Sequence, residues 1–219
     1  MSPTEDPAVA RAADLAGDGH TSPLTAAKVD RATAALLDDA DARVRAAALG
    51  ALVRGAPPDV AMTAWCSATA DPSETVRRRV ADLGPALTAR DATLEPEIAV
   101  AALALLTDAD VTVVVAAAGA LAELAAAAVA AGAVPALATV ATDHDDALAR
   151  EAAVASLGAL GDPDGLPAIL AACGDKPAVR RRAVLALAPF AGPAVDAALR
   201  AASTDRDWQV RQAAEDLSR

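Results

Sequence analysis

The sequence predicts an all-α protein, a right-handed α-solenoid of about six antiparallel helix pairs, and three observations carry that expectation. Alanine fills roughly three of every ten positions among the 219 residues, which favours helix and disfavours a β sandwich or barrel. A fragment recurs at long spacing. Asp39-Ala-Asp-Ala-Arg-Val-Arg-Ala-Ala-Ala-Leu-Gly-Ala-Leu52 returns as Asp108-Ala-Asp-Val-Thr-Val-Val-Val-Ala-Ala-Ala-Gly-Ala-Leu121, a separation of 69 residues or two periods. Weaker copies fill the gaps and set six apolar anchors, Val44, Val76, Val113, Ala149, Val179 and Val210, at steps of 32, 37, 36, 30 and 31.

Each anchor opens the second helix of a pair, helix B. The residue three before it reads Asp41, Ser73, Asp110, Asp146, Lys176 and Asp207. Five of these carry short oxygen-bearing side chains that accept from the free N–H groups of a helix start. The sixth is followed by Pro177, which suits a first helical position. The first helix of each pair, helix A, is expected over Thr25–Leu37, Asp59–Ala70, Pro96–Leu106, Pro135–Ala141, Leu166–Cys173 and Pro193–Ala202, with proline near most starts. Turns such as Gly161-Asp-Pro-Asp-Gly165 join them. Neither helix covers its apolar side alone, so the pairs must stack, and 24–219 reads as a single solenoid domain. Residues 1–23, interrupted by Pro3, Pro7, Gly17, Gly19 and Pro23, read as a mobile or loosely helical arm.

Composition excludes several functions. With 19 basic against 30 acidic side chains the net charge is −11, which repels phosphate and anionic lipid at long range. The aromatics are Trp65, Phe190 and Trp208, so no platform exists for stacking bases, and nucleic acid is not the expected partner. Val111–Ala141 carries only Glu123 as a charge, yet Glu123, Gly132 and Pro135 interrupt it. A buried helix, a turn and a second buried helix are expected there rather than a membrane span. The N-terminus lacks the apolar core of a secretory signal, so a cytoplasmic protein is expected. Cys66 and Cys173 lie in apolar helical stretches and read as small core residues.

The run Asp-x-Asp-x-x-Val-Arg before an Ala/Leu-rich helix resembles HEAT repeats, particularly the short bacterial type also found in phycobilisome lyases. Residues 116–124 and 131–137 resemble an armadillo repeat instead. Together the resemblance covers about Thr25–Arg219. It implies a ladder in which arginines after the anchors (Arg45, Arg77, Arg150, Arg180, Arg211) pair along the stack with aspartates. The slots five before the anchors hold Asp39, Asp71, Asp108, His144, Gly174 and Asp205. Val114 breaks the ladder within the armadillo-like stretch, where a different helix stagger is expected.

Positions two and six after each anchor are one helical turn apart and share a face, expected to line a concave groove. The pairs are Ala46/Gly50, Arg78/Asp82, Val115/Gly119, Glu151/Ala155, Arg181/Leu185 and Gln212/Asp216, a small and partly apolar floor flanked by Arg78, Arg79, Arg181 and Arg182. Gly119 and Glu123 stand where importin-like armadillo proteins carry their repeated tryptophan and asparagine. The candidate partner-binding groove is therefore Arg78, Val115, Gly119, Glu123, Arg181 and Leu185. It suits a helix or extended segment of another protein that brings its own bulky side chains, because this chain supplies almost none.

No catalytic, cofactor or metal residue is expected. His20 and His144 are the only histidines and show no His-Glu or His-x-x-x-His spacing, unlike the di-iron HEAT enzymes of the deoxyhypusine hydroxylase kind. There is no Gly-rich phosphate loop before a helix and no Gly-x-Ser-x-Gly. Asp143, Asp145 and Asp146 around His144 read as helix-start caps. The expected function is a non-enzymatic, monomeric adaptor. The repeat subtype leaves a lyase or chaperone for a prosthetic group as an alternative, and a HEAT-like alkylpurine DNA glycosylase as a further one. That last family needs a basic groove with tryptophans beside an aspartate, whereas Trp65 and Trp208 are about four repeats apart.

Overall fold

The computed structural model describes residues 33–218, so the expected arm at 1–23 and most of the first A helix lie outside the described residues. Residues 33–35 are helical and run into a 3-10 turn at Leu36–Asp38. Twelve α-helices follow among the described residues: α1 (Ala42–Gly55), α2 (Pro58–Ala68), α3 (Glu74–Thr88), α4 (Glu95–Leu105), α5 (Val111–Glu123), α6 (Ala125–Ala130), α7 (Ala133–Asp143), α8 (Ala147–Leu160), α9 (Leu166–Ala172), α10 (Pro177–Ala186), α11 (Pro193–Ala202) and α12 (Trp208–Leu217). No strand occurs among the described residues, and the all-α, paired-helix architecture expected from the repeat is present.

The helices group into two compact units, residues 1–98 and 99–219, divided within α4. In the first unit α1 and α3 pack side by side as B helices with α2 against both. Trp65 on α2 is the largest buried side chain, and its indole N–H donates to the carbonyl of Val80 on α3 at 2.8 Å. In the second unit α5, α8, α10 and α12 form a row of B helices, and α7, α9 and α11 form the row of A helices behind it.

The starts of the B helices follow from their caps. The side chains of Asp41, Ser73, Asp110, Asp146 and Asp207 each accept a backbone N–H two residues on, and Lys176 makes no side-chain cap. The upstream member of each Asp-x-Asp motif adds a second turn: Asp39, Asp71, Asp108 and Asp205 accept from the backbone N–H of Asp41, Ser73, Asp110 and Asp207. His144 takes the same place with its Nδ1 accepting from Asp146 N–H at 3.0 Å. The chain is thus turned into helix B before the apolar anchor docks, and every anchor is at most 1% exposed.

Two sequence expectations need correction. The stretch 111–141 holds three helices, not two, because the chain breaks after Glu123, runs as α6 and turns again at Gly132, whose φ is +86°. Ala125 opens α6 with φ +38°, a left-handed conformation that a Cβ disfavours. Ala125→Gly is therefore expected to stabilise the fold by about 1 kcal/mol in urea denaturation, against the loss of similar size that glycine causes inside a helix. A destabilised variant refutes strain at this joint. The second correction is Cys66, which is exposed rather than core: α2 turns Ala61, Met62, Ala64, Trp65 and Ala68 inward and leaves Cys66 beside them facing out. Cys173 is half-buried.

Candidate functional site: the B-helix face

Arginines that follow the anchors brace each unit from within. Arg45 on α1 grips Asp71 with two bonds, Nε to Oδ2 at 2.8 Å and Nη2 to Oδ1 at 2.7 Å, and its Nη1 donates to the carbonyl of Asp39 at 2.9 Å. Arg150 repeats this with Asp175 at 2.6 and 2.9 Å and with the carbonyl of His144 at 2.7 Å. Arg180 repeats it again with Asp205 at 2.9 and 2.8 Å and with the carbonyl of Asp175 at 2.8 Å. Arg77 and Arg211 donate in the same manner to the carbonyls of Asp71 and Asp205. The forks of Arg45, Arg150 and Arg180 each match a carboxylate while the third nitrogen closes the cap turn, the geometry in which arginine outperforms lysine. Asp71, Asp175 and Asp205 are held below the usual aspartate range, chiefly by these guanidinium hydrogen bonds.

The ladder differs from the sequence expectation at two places. Asp175, not Gly174, is the rung residue, because helix α10 starts at Pro177 without a capping side chain and Asp175 Oδ1 accepts from the next backbone N–H, Lys176, at 2.6 Å. Register also accounts for the gap at Val114. Arg45, Arg150 and Arg180 each pair with the acid of the following repeat, so by the same register the partner slot of Val114 is His144, and both members of that rung are replaced together. Val114 is fully buried. In its place Ser156, a buried hydroxyl on α8, lies 2.7 Å from the carbonyl of Ala118 on α5 and donates to it.

Outside this brace, the second unit presents the other side of its B helices. Val115 is half-buried on α5, Gly119 and Glu123 are exposed one and two turns on, and a Cβ built on Gly119 would meet no atom within 4 Å. Glu151 and Ala155 on α8, and Arg181 and Leu185 on α10, are half-buried at the matching positions. Arg182 reaches from α10 to Glu151 on α8 at 3.4 Å, and Gln212 bonds Asp216 on α12 at 3.0 Å. The structure therefore gathers Val115, Gly119, Glu123, Arg181 and Leu185 on the B helices of one unit. Arg78 is exposed on α3 of the other unit.

The first unit departs from the expected open floor. Ala46 and Gly50 are buried, and the guanidinium ends of Arg79 and Arg54 lie over Gly50: a Cβ there would sit 2.9 Å from Arg79 Nη2 and 3.2 Å from Arg54 Nη1. Arg90 was hidden to sequence reasoning. It donates to the carbonyls of Val53 and Ala56, supplying a positive end group to the C-terminus of α1. Arg79, expected to flank the floor, lies over Gly50 instead; like Arg182 it stands three residues after its anchor.

No group of three or more His, Cys, Asp or Glu side chains is placed to hold a metal ion among the described residues. Although Cys66 faces out, partial desolvation of its thiol, joined by the nearby carboxylate of Glu97, pushes its pKa up, the reverse of what a nucleophile needs. No helix among the described residues is long and apolar enough to cross a membrane.

Comparison with known proteins places this geometry. No curated protein matches the sequence. Among solved structures, an engineered protein aligns at TM-score 0.64 with 21% identity, covering 86% of this chain and 94% of its own. YibA of Escherichia coli aligns at TM-score 0.66 with 16% identity over 89% of this chain and 74% of its own. A computationally designed armadillo repeat protein for modular peptide recognition aligns at TM-score 0.64 with 18% identity, over 87% and 98%. These likenesses establish the fold. The sequence model of HEAT repeats matches residues 98–188 and 134–218, together more than half of the chain, and the protein belongs to the HEAT-repeat family.

Proposed function

We propose that this protein is a non-enzymatic adaptor whose B-helix face holds a helix or extended segment of another protein, with 24–219 acting as one binding domain of a monomeric cytoplasmic protein. The observation that carries the reading is the open space above Gly119, bordered by half-buried Val115 on its own helix. Apolar surface left partly exposed on packed helices is the material of a docking face, and Leu185 on α10 adds to it. With so few aromatics of its own, the chain offers holes rather than knobs, so the partner brings the large side chains. Arg181, on the same row of B helices, is suited to orient an acidic group of the partner.

Gly119→Trp tests the reading, with Ala126→Trp on exposed α6 as the control in the same stretch. Both variants are expected to melt with the parent. Proteins captured by immobilised parent and by Ala126→Trp should bind Gly119→Trp at least about tenfold more weakly, since the indole occupies the space a partner side chain needs. If Gly119→Trp retains the same proteins as the parent, the B-helix face of α5 is not the binding surface.

A further inference from the structure

The first unit carries a cleft on its A-helix side, between α2 and the chain that enters α4. One stripe of α2, Pro58, Asp59, Met62, Thr63, Cys66 and Ser67, forms one wall, and Asp91, Leu94 and Glu97 form the other. The stripe follows helical phase: α2 commits Ala61, Ala64, Trp65 and Ala68 to the core, and the residues between them border the cleft. Buried Met62 and half-buried Leu94 give the cleft its apolar surface. Its volume is about 690 Å³, the size of a site for an organic group rather than for a bare ion.

The polar lining is one-sided, because every side-chain proton in it is already committed inside the chain. The Thr63 hydroxyl donates to the carbonyl of Asp59 at 2.8 Å, and that of Ser67 to the carbonyl of Thr63 at 3.0 Å. The Cys66 thiol donates across the cleft to Glu97 Oε1 at 3.7 Å. What is left to a ligand is acceptors alone: two hydroxyl oxygens and the carboxylates of Asp59, Asp91 and Glu97. Asp91 takes both bonds from Thr93 on Oδ1, which holds its pKa below the usual aspartate range and leaves Oδ2 for a ligand. No lysine or arginine lines the cleft, and none of the three carboxylates makes an ion pair among the described residues. They are not placed to hold one metal ion together.

We propose that this cleft binds an arginine side chain of a basic segment of another protein, with the aliphatic stem on Met62 and Leu94 and the guanidinium among Asp59, Asp91 and Glu97. A guanidinium presents five N–H donors and no acceptor, the complement of a lining that only accepts. Its three-carbon stem covers apolar surface while the charged head stays with the carboxylates. Lysine offers a compact point charge that reaches fewer of the separated acceptors. The net charge of −11 draws a basic segment toward the chain at long range. This seat lies on α2 and the entry to α4 and uses no residue of the α5 face, so either surface can stand where the other fails.

The test is fluorescence anisotropy with a labelled hexa-arginine peptide at physiological ionic strength, where long-range attraction is screened. Asp59→Asn combined with Glu97→Gln should weaken binding at least about tenfold. Glu74→Gln combined with Asp196→Asn removes the same charge from exposed sites elsewhere and should bind as the parent does. Ser67→Trp fills the cleft without changing charge and should weaken binding as much as the first pair, with circular dichroism and melting confirming the fold of each variant. Bound peptide should also protect Cys66 from iodoacetamide, read by peptide mapping. Hexalysine and spermine should compete more weakly than unlabelled hexa-arginine. No binding by the parent below about 1 mM overturns the proposal. So does equal weakening by the two charge-matched pairs, parent-like binding by Ser67→Trp, an unprotected Cys66, or competition by hexalysine or spermine that matches hexa-arginine.

Discussion

Replacing Arg180 with alanine is expected to cost about 2–3 kcal/mol of unfolding free energy, while Arg181→Ala, one residue on, should cost less than about 0.5 kcal/mol. The neighbours differ in what they leave behind. Arg180 is buried and supplies both bonds to Asp205 and one to the carbonyl of Asp175; its loss strands a half-buried carboxylate and a cap turn. Arg181 is half-buried and has no such partners. The pH dependence has a defined sign. Asp205 is held below its ordinary range by Arg180, so the folded state binds its proton less readily than the unfolded chain. The stabilisation is present above the unfolded aspartate value near 3.9 and is lost as pH falls through the depressed folded value. Urea titrations of the two variants and the parent should thus show a gap for Arg180→Ala that is constant at neutral pH and closes only below about pH 4. Equal losses for Arg180→Ala and Arg181→Ala would refute the division between internal brace and binding face.

Much of this arrangement is legible in the sequence, because the repeat writes the same local chemistry several times. Asp41, Ser73, Asp110, Asp146 and Asp207 cap their helices as expected, since an Asx or Ser turn is decided within a few residues. What escaped depends on tertiary context. Nothing between Leu121 and Ala130 breaks a helix by propensity, yet Ala125 takes a positive φ where the chain breaks after Glu123 and α6 begins. Asp175 replaced Gly174 as rung residue because a proline-started helix shortens the approach by one position, which a fixed offset misses. The floor at Gly50 was expected to be open, and it is covered by side chains from 4 and 29 positions along the chain, Arg54 and Arg79. The face residues Val115, Gly119 and Leu185 follow from helical phase alone, so they fall where the anchors put them.

Gly158→Ala is expected to be among the most damaging small substitutions in the second unit, at about 2–4 kcal/mol, although alanine is the better helix former by about 1 kcal/mol. A Cβ there would lie 2.6 Å from Ala186 Cβ, 2.7 Å from Ala186 Cα and 3.1 Å from its carbonyl oxygen. None of these is the end of a flexible side chain. Helices α8 and α10 would have to separate, and the shift would be felt on the far side of α8, where Ser156 bonds the carbonyl of Ala118 on α5. Rung Arg150–Asp175, which closes the α8 repeat onto the next, would be strained by the same movement. Gly119→Ala is the matched control, because its new methyl meets nothing within 4 Å and should stabilise the chain by up to about 1 kcal/mol. Thermal unfolding of the two variants separates the effects: a lowered melting temperature for Gly158→Ala beside a raised one for Gly119→Ala. If both variants melt above the parent, α8 and α10 are not in the close contact that the glycine permits, and the α8 position that sets the spacing of the B-helix row would have to be sought elsewhere.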